Sequence, residues 1–335
     1  MDATRVHYNP VMLLAGGVGG TKTLLGLFEA ADPRPRPVAI HAYSTSTFTS
    51  FTQILDAFAR EVNRPFTVDA AVAGVAGPVV GNTARLTHVA WDVSASEMTS
   101  RFGTPRVGLL NDLEAMAASA AVLTIDELVV LQQGMPRPDG NAAVIAAGTG
   151  LGEAFLVRVN GRLRPVPSEG GHADFAARTD REVDLLRMLR ELYGRAEVEH
   201  VLSGPGLLNL HRFTHQGREC AAIRGLDEIG APAGVTQAAL AGTCEACSDA
   251  LAMFVSAYGA EAGNLALRGV ATAGVFVGGG IAPKILPALQ DGRFIEAFRA
   301  KGLMSDLVAT IPVKVILNAE AGLLGAAVSA QEMMR

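Results

Sequence analysis

Cysteine is scarce in this 335-residue chain: only Cys220, Cys244 and Cys247 occur. A small odd number gives no disulfide framework, and a reducing compartment is the simpler reading. Positive charge is scarce too. Lysine and arginine number 28 against 33 acidic residues, for a formal net charge of −5. A nucleic-acid surface needs a concentrated basic stripe, so nucleic acid is not expected as a partner. An anionic ligand stays open, because backbone N–H groups hold phosphate without net positive charge. Long apolar runs are missing as well. No stretch reaches the roughly 18 apolar residues of a membrane span. The early run at residues 11–15 stops at Gly16, too soon for a signal-peptide core. The expected location is the cytoplasm, with no membrane partner.

Hydrophobic residues make up 49% and charged residues 18%, the balance of a chain that buries a core. The length exceeds one small core and suits two packed domains. Glycine is abundant, at 37, which points to tight turns and close backbone approaches.

Residues 11–15 read as a buried strand. The turn Gly16-Gly17-Val18-Gly19-Gly20-Thr21 follows, then a strand at 23–28, a proline-rich tip at 32–37 and a strand at 38–43. The pattern returns at 142–147. There a strand leads to Gly148-Thr149-Gly150-Leu151-Gly152, a second strand spans 153–159, and Asn160-Gly161 closes a hairpin. Strand, glycine–threonine turn and strand, twice in one chain, fits a duplicated architecture with one phosphate-holding turn per half. It also fits two unrelated turns, and spacing alone leaves both open. Further strands are expected at 69–75, 107–110, 271–277 and 313–317. Helices are expected at 112–122, 181–193, 246–267 and 319–330, with Ser94 and Glu97 as a capping box. Strands alternating with helices predict an α/β fold with parallel pairs.

Two familiar nucleotide motifs do not apply. Lys22 is preceded by Thr21 where a P-loop needs glycine, and a strand follows where a helix should start. Neither turn shows the dinucleotide fingerprint. Cys244-Glu245-Ala246-Cys247 has no second cysteine pair and reads as a helix start with one buried thiol, so no metal ligands are assigned. His172 differs from an ordinary structural histidine. Glu169-Gly170-Gly171 precede it on a polar loop, which favours a ligand site.

A longer series of stretches then lines up. These are Val18-Gly19-Gly20-Thr21, Leu110-Asn111-Asp112, Gly148-Thr149-Gly150-Leu151-Gly152, Glu169-Gly170-Gly171-His172-Ala173-Asp174-Phe175, Val201-Leu202-Ser203-Gly204-Pro205-Gly206-Leu207, Gly263-Asn264-Leu265-Ala266-Leu267, Gly278-Gly279-Gly280-Ile281 and Gly322-Leu323-Leu324-Gly325. In this order they resemble the bacterial glucokinases of the hexokinase and actin-like superfamily, over nearly the full length. Each stretch alone is weak; the ordered set is specific. The resemblance implies a two-domain actin-like (RNase H-like) α/β fold. A small α/β domain of residues 1–122 and 316–335 and a larger one of 123–315 would flank a cleft. It implies ATP and Mg2+ as cofactors, glucose or a related hexose phosphorylated at its 6-hydroxyl, and a homodimer.

The resemblance also implies roles. Asp112 becomes the general base that takes the sugar hydroxyl's proton, although its local sequence alone would make it a helix cap. Asn111, Asp112, Glu169, His172 and Glu199 become sugar contacts. Asn111 can both donate and accept, and Glu199 is selected by its place just before Val201-Leu202-Ser203-Gly204. Gly17, Val18, Gly19, Gly20 and Thr21 would hold phosphate from one domain, and Gly148, Thr149 and Gly150 from the other. Gly278, Gly279 and Gly280 would lie near the adenosine.

Two positions depart from the family pattern. Its first loop usually reads Gly-Asp-x-Gly-Gly-Thr, and Gly17 stands where that Asp, which serves the magnesium, is expected. A weakened or compensated kinase follows, with an impaired sugar-binding protein or a kinase for another hexose as alternatives. His88 stands where many relatives carry Asn, in a neighbourhood that bears on hexose preference. About ten residues precede the first strand, which leaves no room for a DNA-reading helix-turn-helix.

Overall fold

The computed structural model describes residues 10–63, 65–86 and 89–335. The chain opens with β1 (Met12–Val18), β2 (Lys22–Glu29), β3 (Arg36–Ser44), α1 (Phe51–Glu61) and β4 (Ala70–Val75). Next come the short β5 (Val79–Val80), β6 (Thr83–Arg85) and β7 (Asp92–Ser94), then α2 (Ala95–Phe102), β8 (Val107–Asn111) and α3 (Asp112–Ser119). Strands β9 (Leu128–Gln132), β10 (Ala142–Ala147), β11 (Leu151–Val159) and β12 (Arg162–Ser168) lead to α4 (Asp180–Tyr193), α5 (Gly204–His215), α6 (Ala231–Leu240) and α7 (Glu245–Gly269). After them come β13 (Gly274–Gly278), α8 (Leu286–Leu289), α9 (Arg293–Arg299), α10 (Ser305–Ala309), β14 (Val313–Ile316) and α11 (Ala321–Glu332). The chain divides into two compact units. One runs to Leu123 and is completed by Glu320–Arg335; the other is Thr124–Ala319.

The first unit is built on a five-stranded sheet in the order β3-β2-β1-β4-β8. β1 pairs antiparallel with β2 and parallel with β4, and β4 pairs parallel with β8. β4 is buried throughout, the pattern of a strand covered on both faces. One face carries Ile54, Leu55 and Phe58 of α1 and Met98 of α2. Ser50 caps α1, and Ser94 with Glu97 forms the expected capping box on α2. The other face carries Leu323, Ala326, Ala327 and Ala330 of α11. Small residues let α11 press on α3: a Cβ built at Gly325 would lie 1.6 Å from the Ala115 carbonyl oxygen. That contact, and Gly74 of β4 beneath Ala115, pins α3 and so the position of its first residue, Asp112. β1 runs past Gly16 and Gly17 to Val18, because both glycines stay in register with β2 and β4. The turn is therefore shorter than expected and covers residues 19–21.

The second unit is built on a six-stranded sheet in the order β12-β11-β10-β13-β14-β9. β10 repeats the pairing of β1, antiparallel to β11 and parallel to β13. The two sheets thus share one strand pattern, and residues 148–150 occupy in one the place of residues 19–21 in the other. β12 carries Pro165 and Pro167 on a sheet edge, where a missing N–H donor is tolerated. Asn160 and Gly161 turn the β11–β12 hairpin with φ of 50° and 78°, as a two-residue hairpin requires. The 25-residue α7 fills the core with Phe254, Tyr258 and Leu265. The strand expected at 271–277 begins later, at Gly274. Val270 caps α7 at φ 45°, and Ala271 N still bonds the Ala266 carbonyl, so the helix end holds these residues. Among the described residues no single helix is long and apolar enough to cross a membrane, although α6 and α7, bent by 101°, pass that test as a pair.

Candidate active site

In the first unit, β8 ends on Asn111 and α3 opens on Asp112. Asn111 is the cap: its Oδ1 accepts from Leu113 N at 2.9 Å, and its Nδ2 donates to the Gly77 carbonyl at 3.2 Å. Asp112 Oδ1 accepts from the same Leu113 N at 2.8 Å. The Asp112 side chain is exposed, and the amides and dipole of a helix start favour a carboxylate there. Asp112 lines a cavity of about 160 Å³ together with Gly17, Val18, Gly19, Gly74, Ala76, Ala115 and Gly322. Gly19 N donates to the Lys22 carbonyl at 3.0 Å, which closes the turn. A Cβ at Gly17 would meet only Leu24 Cβ, at 4.0 Å. A Cβ fits at this position without a clash. His88 lies outside the described residues.

In the second unit, a short ladder gathers three of the expected sugar contacts. Glu199 N donates to the Gly171 carbonyl, Val198 N to Ala173 and Phe175 N to Ala196. Residues 171–175 thereby run beside 196–199, which brings Glu169, His172 and Glu199 into one neighbourhood. Glu199 Oε2 accepts from Leu151 N at 2.7 Å, so one of its oxygens is committed to the 148–150 turn. A Cβ on Gly150 would sit 2.6 Å from that oxygen, so a side chain there would displace the Glu199 carboxylate from this bond. Ser203 caps α5, and Gly204 N donates to the Gly148 carbonyl at 2.8 Å. The buried Tyr258 hydroxyl accepts from Ala147 N and lies 3.3 Å from the Gly278 carbonyl, which brings residues 278–280 against the same turn.

Three further residues carry no local sequence signal. Glu197 Oε2 lies 2.9 Å from His172 Nδ1. This bond raises the His172 pKa, and the charges of Glu199 and Glu169 add to it. Arg195 binds the His172 carbonyl at 2.7 Å and Asp174 at 2.8 Å. Glu153, on β11, is 1% exposed, with Oε1 lacking a partner among the described residues. Burial and the nearby Glu261 push it up to about 7, against the opposing pull of Arg268. It lies beneath the 169–171 turn, where a Cβ on Gly170 would meet its Oε2 at 2.2 Å.

Known proteins resemble this chain over nearly its whole length. The family model described as glucokinase covers residues 14–333. The glucokinase of Synechocystis sp. is 39% identical over 349 residues, covering 96% of this chain and 98% of that one. The glucokinase of Nostoc sp. is 36% identical over 340 residues, covering 96% and 99%. The crystal structure of glucokinase from an Antarctic psychrotroph superposes with a TM-score of 0.86 at 31% identity, covering 96% of this chain and 99% of that one. The two α/β sheets, the repeated glycine turns and these full-length likenesses lead to one statement: the chain belongs to the glucokinase family.

Proposed function

We propose that the chain transfers the γ-phosphoryl group of ATP to the 6-hydroxyl of glucose. The observation that carries this reading is the cavity lined at once by Gly17 and Gly19 and by Asp112, in a chain of this family. Phosphoryl transfer asks a protein for positioning and charge neutralisation more than for covalent help. Asp112 takes the proton of the 6-hydroxyl as its oxygen attacks phosphorus, a contribution of roughly 10²–10⁴-fold. Asn111, Glu169, His172 and Glu199 bind the other hydroxyls. The carboxylates accept, and His172, raised toward its charged form by Glu197, donates. A site that bonds several hydroxyls rejects an analogue lacking one.

Gly17, Val18, Gly19, Gly20 and Thr21 hold phosphate, with the N–H groups of Gly20 and Thr21 and the threonine hydroxyl as donors, since Gly19 N already bonds the Lys22 carbonyl. Gly148, Thr149 and Gly150 do so through Thr149 and Gly150, since Gly148 N already bonds the Gly150 carbonyl. Gly278, Gly279 and Gly280 pass close to the adenosine. Mg2+ accompanies ATP and offsets phosphate charge. Among the described residues Asp112 is the one carboxylate lining the cavity, so the protein would lend that ion less support than a loop Asp would.

Gly17 favours a second reading, a sugar-binding protein with impaired turnover. The test is glucose 6-phosphate formation with Mg-ATP, alongside calorimetric glucose binding. Asp112→Asn should lose about 10²–10⁴-fold in turnover and keep glucose binding. Full turnover in that variant removes the base assignment. Glucose binding without product in the unmodified chain supports the second reading.

A further inference from the structure

Away from these turns, the second unit gathers histidines and cysteines from three segments. His211 and His215 lie one turn apart near the end of α5, at 7% and 4% exposure, with ring centroids 3.8 Å apart. His215 Nδ1 sits 2.9 Å from the His211 carbonyl, so Nδ1 carries the proton and Nε2 presents a lone pair. Cys244 Sγ lies 3.4 Å from that Nε2 and Cys247 Sγ 4.0 Å from it. Cys220, from the segment after α5, places its Sγ 3.7 Å from Cys247 Sγ. One donor atom from each of His211, His215, Cys220 and Cys247 lies within 4.8 Å of every other. His211 Nε2 is buried and has no hydrogen-bond partner among the described residues. A buried nitrogen without a partner is costly, and a cation in the cluster would satisfy it.

We infer that His211, His215, Cys220 and Cys247 form a zinc site that ties the end of α5, the segment after it and the start of α7 together. Around a tetrahedral zinc with Zn–S of about 2.3 Å and Zn–N of about 2.0 Å, neighbouring sulfurs stand roughly 3.8 Å apart and sulfur and nitrogen roughly 3.5 Å. The observed 3.7 Å between Cys220 and Cys247 and 4.0 Å between Cys247 and His215 need only small adjustment. Two thiolates cancel the charge of Zn2+, so the assembled site is neutral and suits burial. Binding releases the two thiol protons to water. Sulfur and imidazole donors select zinc over magnesium, which separates this ion from the one that accompanies ATP.

The sequence spacing agrees for the histidines: His211-x3-His215 is a zinc-site spacing, while Cys220 and Cys247 come from separate segments. Cysteine counting alone assigns no metal, because half of the donors are histidines on α5 and the two cysteines, Cys220 and Cys247, lie 27 residues apart. Four protein ligands leave no open position, so the role is structural. Thr214 Oγ1 already bonds the Ala246 carbonyl at 2.8 Å, which stitches α5 to α7 beside the cluster. The other end of α5, Gly204, holds the Gly148 carbonyl. The zinc therefore braces a helix that begins at a candidate phosphate turn.

The test uses the full chain, produced with zinc supplied and purified under reducing conditions. Mass spectrometry of the metal should find about one zinc per chain. Exchange with Co2+ should give tetrahedral d–d bands and sulfur-to-cobalt charge transfer, and zinc should raise Tm. Cys220 is only partly buried, so Cys220→Ser should keep its circular dichroism yet lose the cobalt spectrum and the zinc-dependent rise. Unaltered zinc uptake in Cys220→Ser overturns the site. Substoichiometric zinc with no tetrahedral cobalt spectrum in the unmodified chain also overturns it. So does a Cys220–Cys247 disulfide in chain alkylated at lysis.

Discussion

Replacing Glu153 by Gln should make the protein more stable in alkaline solution and barely change it in acid. The carboxyl is 1% exposed, with one oxygen lacking a partner among the described residues. Arg268 approaches its other oxygen only to 4.0 Å, and that arginine is committed to Glu261 at 2.6 Å. Burial and Glu261 lift Glu153 from 4.5 to about 7. The sign follows from proton counting. Below pH 4.5 the group is protonated in both folded and unfolded chains and costs nothing. Between 4.5 and about 7 the unfolded chain has released its proton while the folded one keeps it, so stability falls as pH rises. Above that the loss is complete, at about 3 kcal/mol. Gln keeps the shape and cannot ionise. Urea unfolding of both proteins at about pH 5.5 and about pH 8.5 isolates the effect, because titrating groups that do not interact with Glu153 cancel in the double difference. The stability gain of the variant should grow by roughly 2 kcal/mol between those two conditions. A gain that does not change with pH would show that Glu153 titrates alike in both states, and the burial argument would be wrong.

Gly17→Asp should lower the KM for Mg-ATP by about tenfold, the scale of one charge-assisted contact, since the position is open; unchanged kcat and KM would mean that no carboxylate is needed there. Glu197→Gln removes the bond that raises His172. The protonated donor would then be lost at lower pH, so the alkaline limb of glucose affinity, followed by calorimetry, should move down; an unmoved limb would remove His172 as the titrating donor. Gly325→Ala should destabilise the first unit by about 3 kcal/mol or more by overpacking, because the new methyl would strike the Ala115 carbonyl; an unchanged urea midpoint would mean that α11 and α3 separate at little cost.

The elements that were legible in the chain are those whose signals are local. β1 and β10 are short buried runs stopped by glycine. The start of α2 is written in Ser94 and Glu97, and α4 in Thr179 and its apolar spacing. α1 is absent from the expected elements although Phe51, Ile54, Leu55 and Phe58 fall on one buried face behind the Ser50 cap. β12 hides its strand character behind two prolines that only a sheet edge accepts.

The site divides along the same line. Asn111, Asp112 and the glycine turns sit at strand ends, where local pattern and family likeness reach them. Glu197 lies 25 residues from His172, and Glu153 occupies a strand position that would be solvated if the 169–171 turn did not cover it. The electrostatic character of both comes from segments distant in sequence, so no window around either residue contains it. The histidine–cysteine cluster is the extreme case. His211-x3-His215 reads as a helix face and Cys244-x2-Cys247 as a helix start, and each reading is correct for its own segment. Only the packing of α5 and the segment after it on α7, with His211 Nε2 buried and lacking a partner among the described residues, turns two ordinary helix ends and Cys220 into a donor set. Gly17 runs the other way: its backbone and surroundings show no strain, so the fold is indifferent to the missing carboxylate and any consequence must fall on the chemistry.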